Sequence, residues 1–232
     1  MDFPELHPWD LTPKSAIALQ KMLAKRVCLD NRLPREVRHV AGVDVSYRRG
    51  GRDFYAAVVV LQMPDLAVVE KVTARGTVTF PYIPGLLSFR ELPVVLQAFK
   101  KLALTPDVVM VDGQGIAHPR HLGLASHLGL WLDLATVGCA KSRLCGEHGP
   151  PGSRRGDRVA LRLENETVGA VLTTRNGIKP LYISPGHLLD VDTSVDLVLR
   201  CLGRYRLPEP TRLAHHLANE ARRHGISAPL QP

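Results

Sequence analysis

Ala41-Gly42-Val43-Asp44-Val45-Ser46-Tyr47 is an apolar, strand-like run with one carboxylate in its middle. Alternate side chains of a strand leave opposite faces, so Asp44 points away from Val43 and Val45. A carboxylate taken out of water without a partner is costly, so this position calls for a compensating charge. The pattern around it predicts a strand over Arg38–Tyr47, a turn at Gly50-Gly51, a strand over Phe54–Met63, a turn at Pro64-Asp65 and a strand over Ala67–Val78. These three strands make an antiparallel meander.

Outward from the meander the period changes. Pro13–Leu29 reads as an amphipathic helix, with Ile17, Leu19, Met22, Leu23 and Val27 at helical spacing and Lys14, Lys21, Lys25 and Arg26 on the polar side. Downstream, Phe80-Pro81-Tyr82-Ile83-Pro84-Gly85 is a stiff, helix-free connector. Next come a helix over Leu87–Leu102, a short buried strand over Asp107–Val111, a helix over His121–Leu132 and a strand over Leu134–Ala140. Residues 145–158, rich in Gly, Pro and Arg, read as a loop. Strands over Arg158–Leu163 and Thr167–Thr174 and helices over Val191–Leu202 and Thr211–Arg223 complete the chain. Strands followed by helix-strand alternation predict an α/β fold, a mixed sheet flanked by helices. No repeat or linker divides the chain, so a single domain over residues 1–232 is expected.

Of 232 residues, 45% are apolar, enough for a substantial core. Lys and Arg number 30 against 22 Asp and Glu, a net charge of +8, which favours a polyanionic partner. The clusters Arg48-Arg49-Arg52, Arg154-Arg155-Arg158 and Arg222-Arg223, with Arg143 ahead of the 145–158 loop, are candidate phosphate contacts, although each alone reads as a solvated surface. Cys139, Cys145 and His148 lack a fourth partner at zinc-site spacing, and Cys28, Cys139, Cys145 and Cys201 read as free thiols of a reducing compartment. The acidic, proline-broken start does not resemble a signal peptide, and no apolar run is long enough for a membrane span. A cytoplasmic chain is expected, and with no heptad pattern a monomer.

Two more carboxylates complete a pattern. Glu91 lies in Leu87-Ser88-Phe89-Arg90-Glu91, early in a predicted helix, and Asp112 ends the strand Val108-Val109-Met110-Val111. Carboxylates on separate elements suit a hard divalent cation, which takes oxygen ligands and makes otherwise costly acids favourable together. If the strands of Asp44 and Asp112 are neighbours, both acids share one face at the carboxyl edge, and Glu91 is expected from the helix packed above. A strand Asp, a helix Glu and a strand-end Asp, with a hairpin between the first two, is the ribonuclease-H-like layout of a metal nuclease.

Longer blocks carry a more specific resemblance. Gly42-Val43-Asp44-Val45-Ser46-Tyr47, Pro81-Tyr82-Ile83-Pro84-Gly85-Leu86-Leu87-Ser88-Phe89-Arg90-Glu91, Val111-Asp112-Gly113-Gln114-Gly115-Ile116-Ala117-His118-Pro119-Arg120, Gly138-Cys139-Ala140-Lys141-Ser142 and Leu207-Pro208-Glu209-Pro210-Thr211-Arg212-Leu213-Ala214-His215 resemble endonuclease V, in order and across most of the chain. The resemblance implies a magnesium-dependent nuclease, with manganese as a substitute. It would act at deoxyinosine and nick at the second phosphodiester on the 3′ side of the lesion. By the same resemblance Asp44 and Asp112 hold the metal, Glu91 completes the carboxylates, and His215 fills a fourth polar position. The neighbouring His216 competes with His215 if the register slips. Lys141 is assigned to phosphate or water, and His118 to phosphate or nucleotide contact. His121, three residues on, reads as structural.

A base hidden in a duplex must leave the stack to be read. Pro81-Tyr82-Ile83-Pro84 has the look of a wedge: two prolines hold the backbone, so that Tyr82 and Ile83 can enter the stack at low ordering cost. The plain alternative is a stiff loop with Tyr82 packed in the core. Gly85 and Gly113 allow close backbone approach, and the resemblance places both at the inosine pocket with Leu87 and Leu124 as walls. The expected partner is deoxyinosine-containing DNA, with inosine-containing RNA left open. Two other readings stand beside this one: another ribonuclease-H-like nuclease, RNA-directed or junction-type, and a catalytically silent inosine-binding protein.

Overall fold

The computed structural model describes residues 1–225; the last seven residues of the expected domain lie outside them. Eight strands form one mixed sheet: β1 (His39–Tyr47), β2 (Asp53–Gln62), β3 (Ala67–Thr77), β4 (Val108–Val111), β5 (Ala135–Ala140), β6 (Arg158–Leu163), β7 (Glu166–Leu172) and β8 (Leu181–His187). Their order is β3-β2-β1-β4-β5-β8-β7-β6. The meander is antiparallel, while β1, β4 and β5 run parallel in the centre. This is the expected α/β architecture, a ribonuclease-H-like mixed sheet flanked by helices.

Strand periodicity sorts the helices. Ala41, Val43, Phe54, Val58 and Val60 pack with Leu92 and Val95 of α2 (Leu87–Phe99) and with Leu128 of α3 (Leu124–Leu132). The opposite face of the sheet meets two further helices. Val40, Met110 and Val137 pack with Val195 and Val198 of α4 (Val191–Arg200), and Val59 and Leu61 with Ala214 of α5 (Glu209–His224). The helix bearing Glu91 therefore covers the face of Val43 and Val45, and α5 covers the face of Asp44. Glu91 thus comes from the helix over Val43 and Val45 and meets Asp44 and Asp112 in one crevice.

Four expected helices are longer than the observed ones: α2 stops at Phe99 and α4 at Arg200, short of Leu102 and Leu202, and the first helix and α3 are cut back for visible reasons. α1 spans Pro13–Ala24 rather than reaching Leu29. Past Lys25 the backbone turns to another partner: Cys28 N–H donates to His187 Nδ1 (3.1 Å) and Cys28 C=O accepts from Leu188 N–H (2.7 Å). α3 starts at Leu124, three residues late, because His121 has φ 53° and Gly123 is extended.

β8 is absent from the sequence reading, since Pro185 and Gly186 look like a turn. Pro185 sits opposite Val137 beside a register shift, where the ladder is already irregular. Its carbonyl accepts from Ile116 N–H (2.9 Å), and Ser184 Oγ accepts from Gly115 N–H (2.8 Å). The unread strand thus anchors the turn that follows Asp112.

Candidate active site

The site begins with register. β1 and β4 are parallel neighbours with Val43 opposite Val111, and Asp112 N–H reaches the Val43 carbonyl (3.4 Å). Asp44 and Asp112 therefore leave adjacent strands at one level. α5 can lie close to β1 because position 42 is glycine: a Cβ there would stand 2.0 Å from the Pro210 carbonyl oxygen. That approach brings His215 Nδ1 to 2.6 Å from Asp44 Oδ2. Among the described residues, ligand-type atoms of Asp44, Asp112 and His215 all lie within 4.8 Å of one another. Of the two histidines it is His215 that meets Asp44, while His216 is exposed on the neighbouring position of α5.

Glu91 stands outside that tight trio but lines the same small crevice with Asp44 and Asp112. Burial, then the charges of Asp44 and Asp112, push its carboxyl up to about 8. Burial first, then Asp112, also raises Asp44, against the hydrogen bond from His215. The Lys141 ammonium contacts Asp112 Oδ2. Three crowded carboxylates with one ammonium among them form an oxygen-rich, negatively biased centre that suits a hard divalent cation.

Beside the acids opens a cavity of about 400 Å³, whose wall includes Asp112, Gly113, His118, Leu124 and Lys141. Its rim carries Tyr82, Ile83, Pro84, Gly85 and Leu87. Tyr82 is 66% exposed and Leu87 36%, so the alternative of a core tyrosine does not hold. The Pro81–Pro84 segment is fixed at both ends. Arg90 Nη1 donates to the Phe80 carbonyl (2.7 Å). At the other end Gly85, with φ +79°, offers a carbonyl that accepts from Gln20 Nε2 (3.0 Å), Arg120 Nη2 (2.8 Å) and His118 Nε2 (3.1 Å).

That network settles the state of His118. Arg120 N–H only donates, and it meets His118 Nδ1 (3.1 Å). The Gly85 carbonyl only accepts, so His118 is neutral with its proton on Nε2. Burial, then the Arg120 charge, lowers its pKa to about 4. Both ring nitrogens hold the wall of the cavity together. His121 lies on the turn into α3.

Several contributors were not read from the sequence. Leu144, 48% exposed, and the buried Ser88 and Gln114 line the cavity. Gln114 Nε2 donates to the Ser142 carbonyl (2.9 Å), and Arg206 Nη2 to the Lys141 carbonyl (3.0 Å), so the backbone under Lys141 is clamped from two sides. Gln114 stood inside a quoted block next to Gly113. Arg206 gave no signal beyond its position just before the Leu207–His215 block.

Comparisons with known proteins show the family and the fold. The family model described as Endonuclease V matches residues 21–216. A relative named Endonuclease V from Nostoc punctiforme is 48% identical over 219 residues, covering 94% of this chain and 99% of its own. The crystal structure of endonuclease V from Streptomyces avermitilis superposes with a TM-score of 0.87 at 42% identity, covering 92% of this chain and 94% of the other. Endonuclease V from Ciona intestinalis, solved in complex with a 23mer DNA containing an inosine followed by a ribo-adenosine, superposes at 0.80 with 26% identity over 92% of this chain and 99% of the other. By family model, full-length identity and fold, the chain belongs to the endonuclease V family of nucleases, hydrolases of the phosphodiester bond.

Proposed function

We propose that this chain recognises deoxyinosine in DNA and nicks the same strand at the second phosphodiester on the 3′ side of the lesion, using magnesium. The observation that carries this reading is that Asp112 belongs at once to the carboxylate centre and to the wall of the 400 Å³ cavity. A base held in the cavity would keep its own backbone beside the acids. The inosine-containing DNA bound by the Ciona relative supports the choice of lesion.

Asp44 and Asp112 would hold the cation, with Glu91 completing its charge balance. Bound there, magnesium, or manganese in its place, would neutralise the scissile phosphate and acidify a water. Lys141 lies where its ammonium can exchange Asp112 for a phosphate oxygen, supplying a fixed positive charge as negative charge develops. His215 holds Asp44 in place. Tyr82, with Ile83 and Pro84 behind it, would occupy the gap left in the stack. Gly85 and Gly113 give the base edge close access to backbone, Leu87 and Leu124 flank it, and His118 keeps Gly85 rigid. The chain is read as one domain over residues 1–232, monomeric and cytoplasmic; among the described residues no helix is long and apolar enough to cross a membrane.

The test is nicking of an end-labelled duplex with one inosine, with magnesium, with manganese and with chelator, mapped by product length. A metal-dependent cut two bonds 3′ to inosine is expected. Cutting indifferent to inosine would favour a general ribonuclease-H-like nuclease, and binding without nicking a silent inosine-binding protein. The ribo-adenosine beside inosine in the Ciona complex favours a second reading, inosine-containing RNA, which a matched RNA substrate decides.

A further inference from the structure

Below the aspartates, β1 and α5 match step for step. Gly42, Asp44 and Ser46 lie two apart on one face of the strand, and each meets α5: Gly42 under Pro210 and Thr211, Asp44 at His215, Ser46 at Asn219 and Arg222. Two strand residues advance about 6.6 Å and four helix residues about 6 Å, so the two ladders stay in phase. Asn219 and Arg222 lie beyond the 21–216 span matched by the family model.

The hydrogen bonds along this seam have a fixed direction. A guanidinium only donates, so Arg222 Nε gives its proton to Ser46 Oγ (2.9 Å), and Ser46 in turn donates to Asn219 Oδ1 (2.9 Å). The His215 backbone carbonyl only accepts, and it takes a proton from Asn219 Nδ2 (2.9 Å). The His215 carbonyl can only accept, so it fixes Nδ2 at that end of the Asn219 amide and leaves Oδ1 to take the Ser46 proton. The same Nδ2 lies 3.2 Å from His215 Nε2, which must then be the bare, accepting nitrogen. The ring proton is left on Nδ1, aimed at Asp44 Oδ2 (2.6 Å). Which ring nitrogen carries the proton is set by the partner of the other.

We propose that Asn219, oriented by Ser46 and Arg222, is a positioning residue that fixes His215 as an Nδ1–H donor to Asp44. His215 then acts on the centre through Asp44, with both of its nitrogens engaged. The catalytic consequence rests on the nuclease reading above; the tautomer does not.

The first measurement is long-range proton–nitrogen NMR of the ¹⁵N-histidine-labelled full chain, metal-free and mildly alkaline. His215 is expected to show a protonated Nδ1 and a bare Nε2. A proton on Nε2, or on both nitrogens, overturns the proposal with no variant needed. Asn219→Leu removes the donor, and Asn219→Asp replaces it with an acceptor; the first should mix the tautomers and the second should move the proton to Nε2. On an inosine duplex Asn219→Leu should lower kcat roughly 10- to 100-fold, as removal of outer partners of a metal centre does, with KM for the oligonucleotide unchanged. Ser46→Ala, a milder change should Asn219→Leu not fold, should shift tautomer and kcat the same way by less. Unchanged tautomer in these variants also overturns the proposal. An Nδ1–H spectrum in a protein that does not nick supports the seam and rejects the nuclease reading.

Discussion

Asp44 and Asp112 stand side by side because Val43 of β1 is paired with Val111 of β4 in parallel register. The relationship is rigid: both strands are central, and the acids differ from a surface pair in having few ways to separate. Asp44→Ala or Asp112→Ala should each abolish nicking in a single-turnover assay while leaving inosine-duplex binding measurable. A single-turnover rate equal to wild type in either variant would reject the metal assignment.

The same crowding makes the metal-free site costly. Burial and the neighbouring acids raise both Asp44 and Glu91. Asp44→Asn should therefore stabilise the metal-free protein by about 0.5–2 kcal/mol, the range that single stabilising substitutions commonly give. For a chain of this size each kcal/mol is worth about 2–4 °C of melting temperature. Magnesium should raise the melting temperature of wild type through linkage and do little for the variant. A wild-type melting curve indifferent to magnesium would contradict a cation at this site.

Much of the site was legible because its chemistry sits on strong periodic elements. Asp44 in an apolar strand and Asp112 at a strand end announce themselves by cost, and the Pro81–Pro84 segment by its two prolines. What stayed hidden depends on tertiary pairing. β8 carries Pro185 and Gly186, residues that local rules assign to turns, and Pro185 joins the sheet beside a register shift at Val137. Which face of β1 is covered by the Glu91 helix and which by α5 is not encoded in any of these elements alone. Leu144 and Arg206 lie in irregular segments, where no period points at a partner.

Tyr82 should matter most where unstacking is hardest. It is exposed at the cavity rim and its segment is held at Phe80 and Gly85. Base–aromatic stacking is worth about 1–3 kcal/mol, so Tyr82→Ala should weaken cleavage of a paired inosine substrate roughly five- to a hundredfold. The loss should be smaller on single strands, and Tyr82→Phe should be mild. Equal losses on duplex and single strand would remove the wedge role, and a fall in melting temperature would mark Tyr82 as structural.

Binding should be dominated by phosphates. The net charge of +8 and the arginines around the 145–158 loop imply several neutralised phosphates, so log K should fall linearly with log salt at a slope of about −0.9 per phosphate on duplex DNA. Affinity that stays flat over moderate salt would reject a phosphate-dominated interface.

Acid should loosen the fold through its buried histidines. His7 Nδ1–H donates to the Pro8 carbonyl (2.9 Å), so its Nε2 is bare and accepts from His127 Nε2–H (2.7 Å) and Trp131 Nε1–H (3.3 Å). His127 Nδ1 then accepts from the Ser88 hydroxyl (3.0 Å). Burial, then the charge of His7, holds His127 well below 6.5, and burial, then Arg120, holds His118 near 4. Above 6.5 neither the folded nor the unfolded chain protonates these rings, so they add no pH dependence. Below 6.5 the unfolded chain binds protons that the folded chain refuses, and stability falls as pH falls, by about 1.4 kcal/mol per pH unit for each fully shifted ring. For His118 the loss levels off near 4. Glu91 works in the opposite sense: with its pKa raised to about 8, the metal-free fold holds a proton that the unfolded chain releases, so stability rises as pH falls from 8 towards 4.5. Urea unfolding of wild type and His127→Gln between pH 7 and pH 5 cancels the Glu91 contribution in the difference. The variant should lose up to one proton from the acid slope, and parallel curves would show that His127 does not resist protonation in the fold.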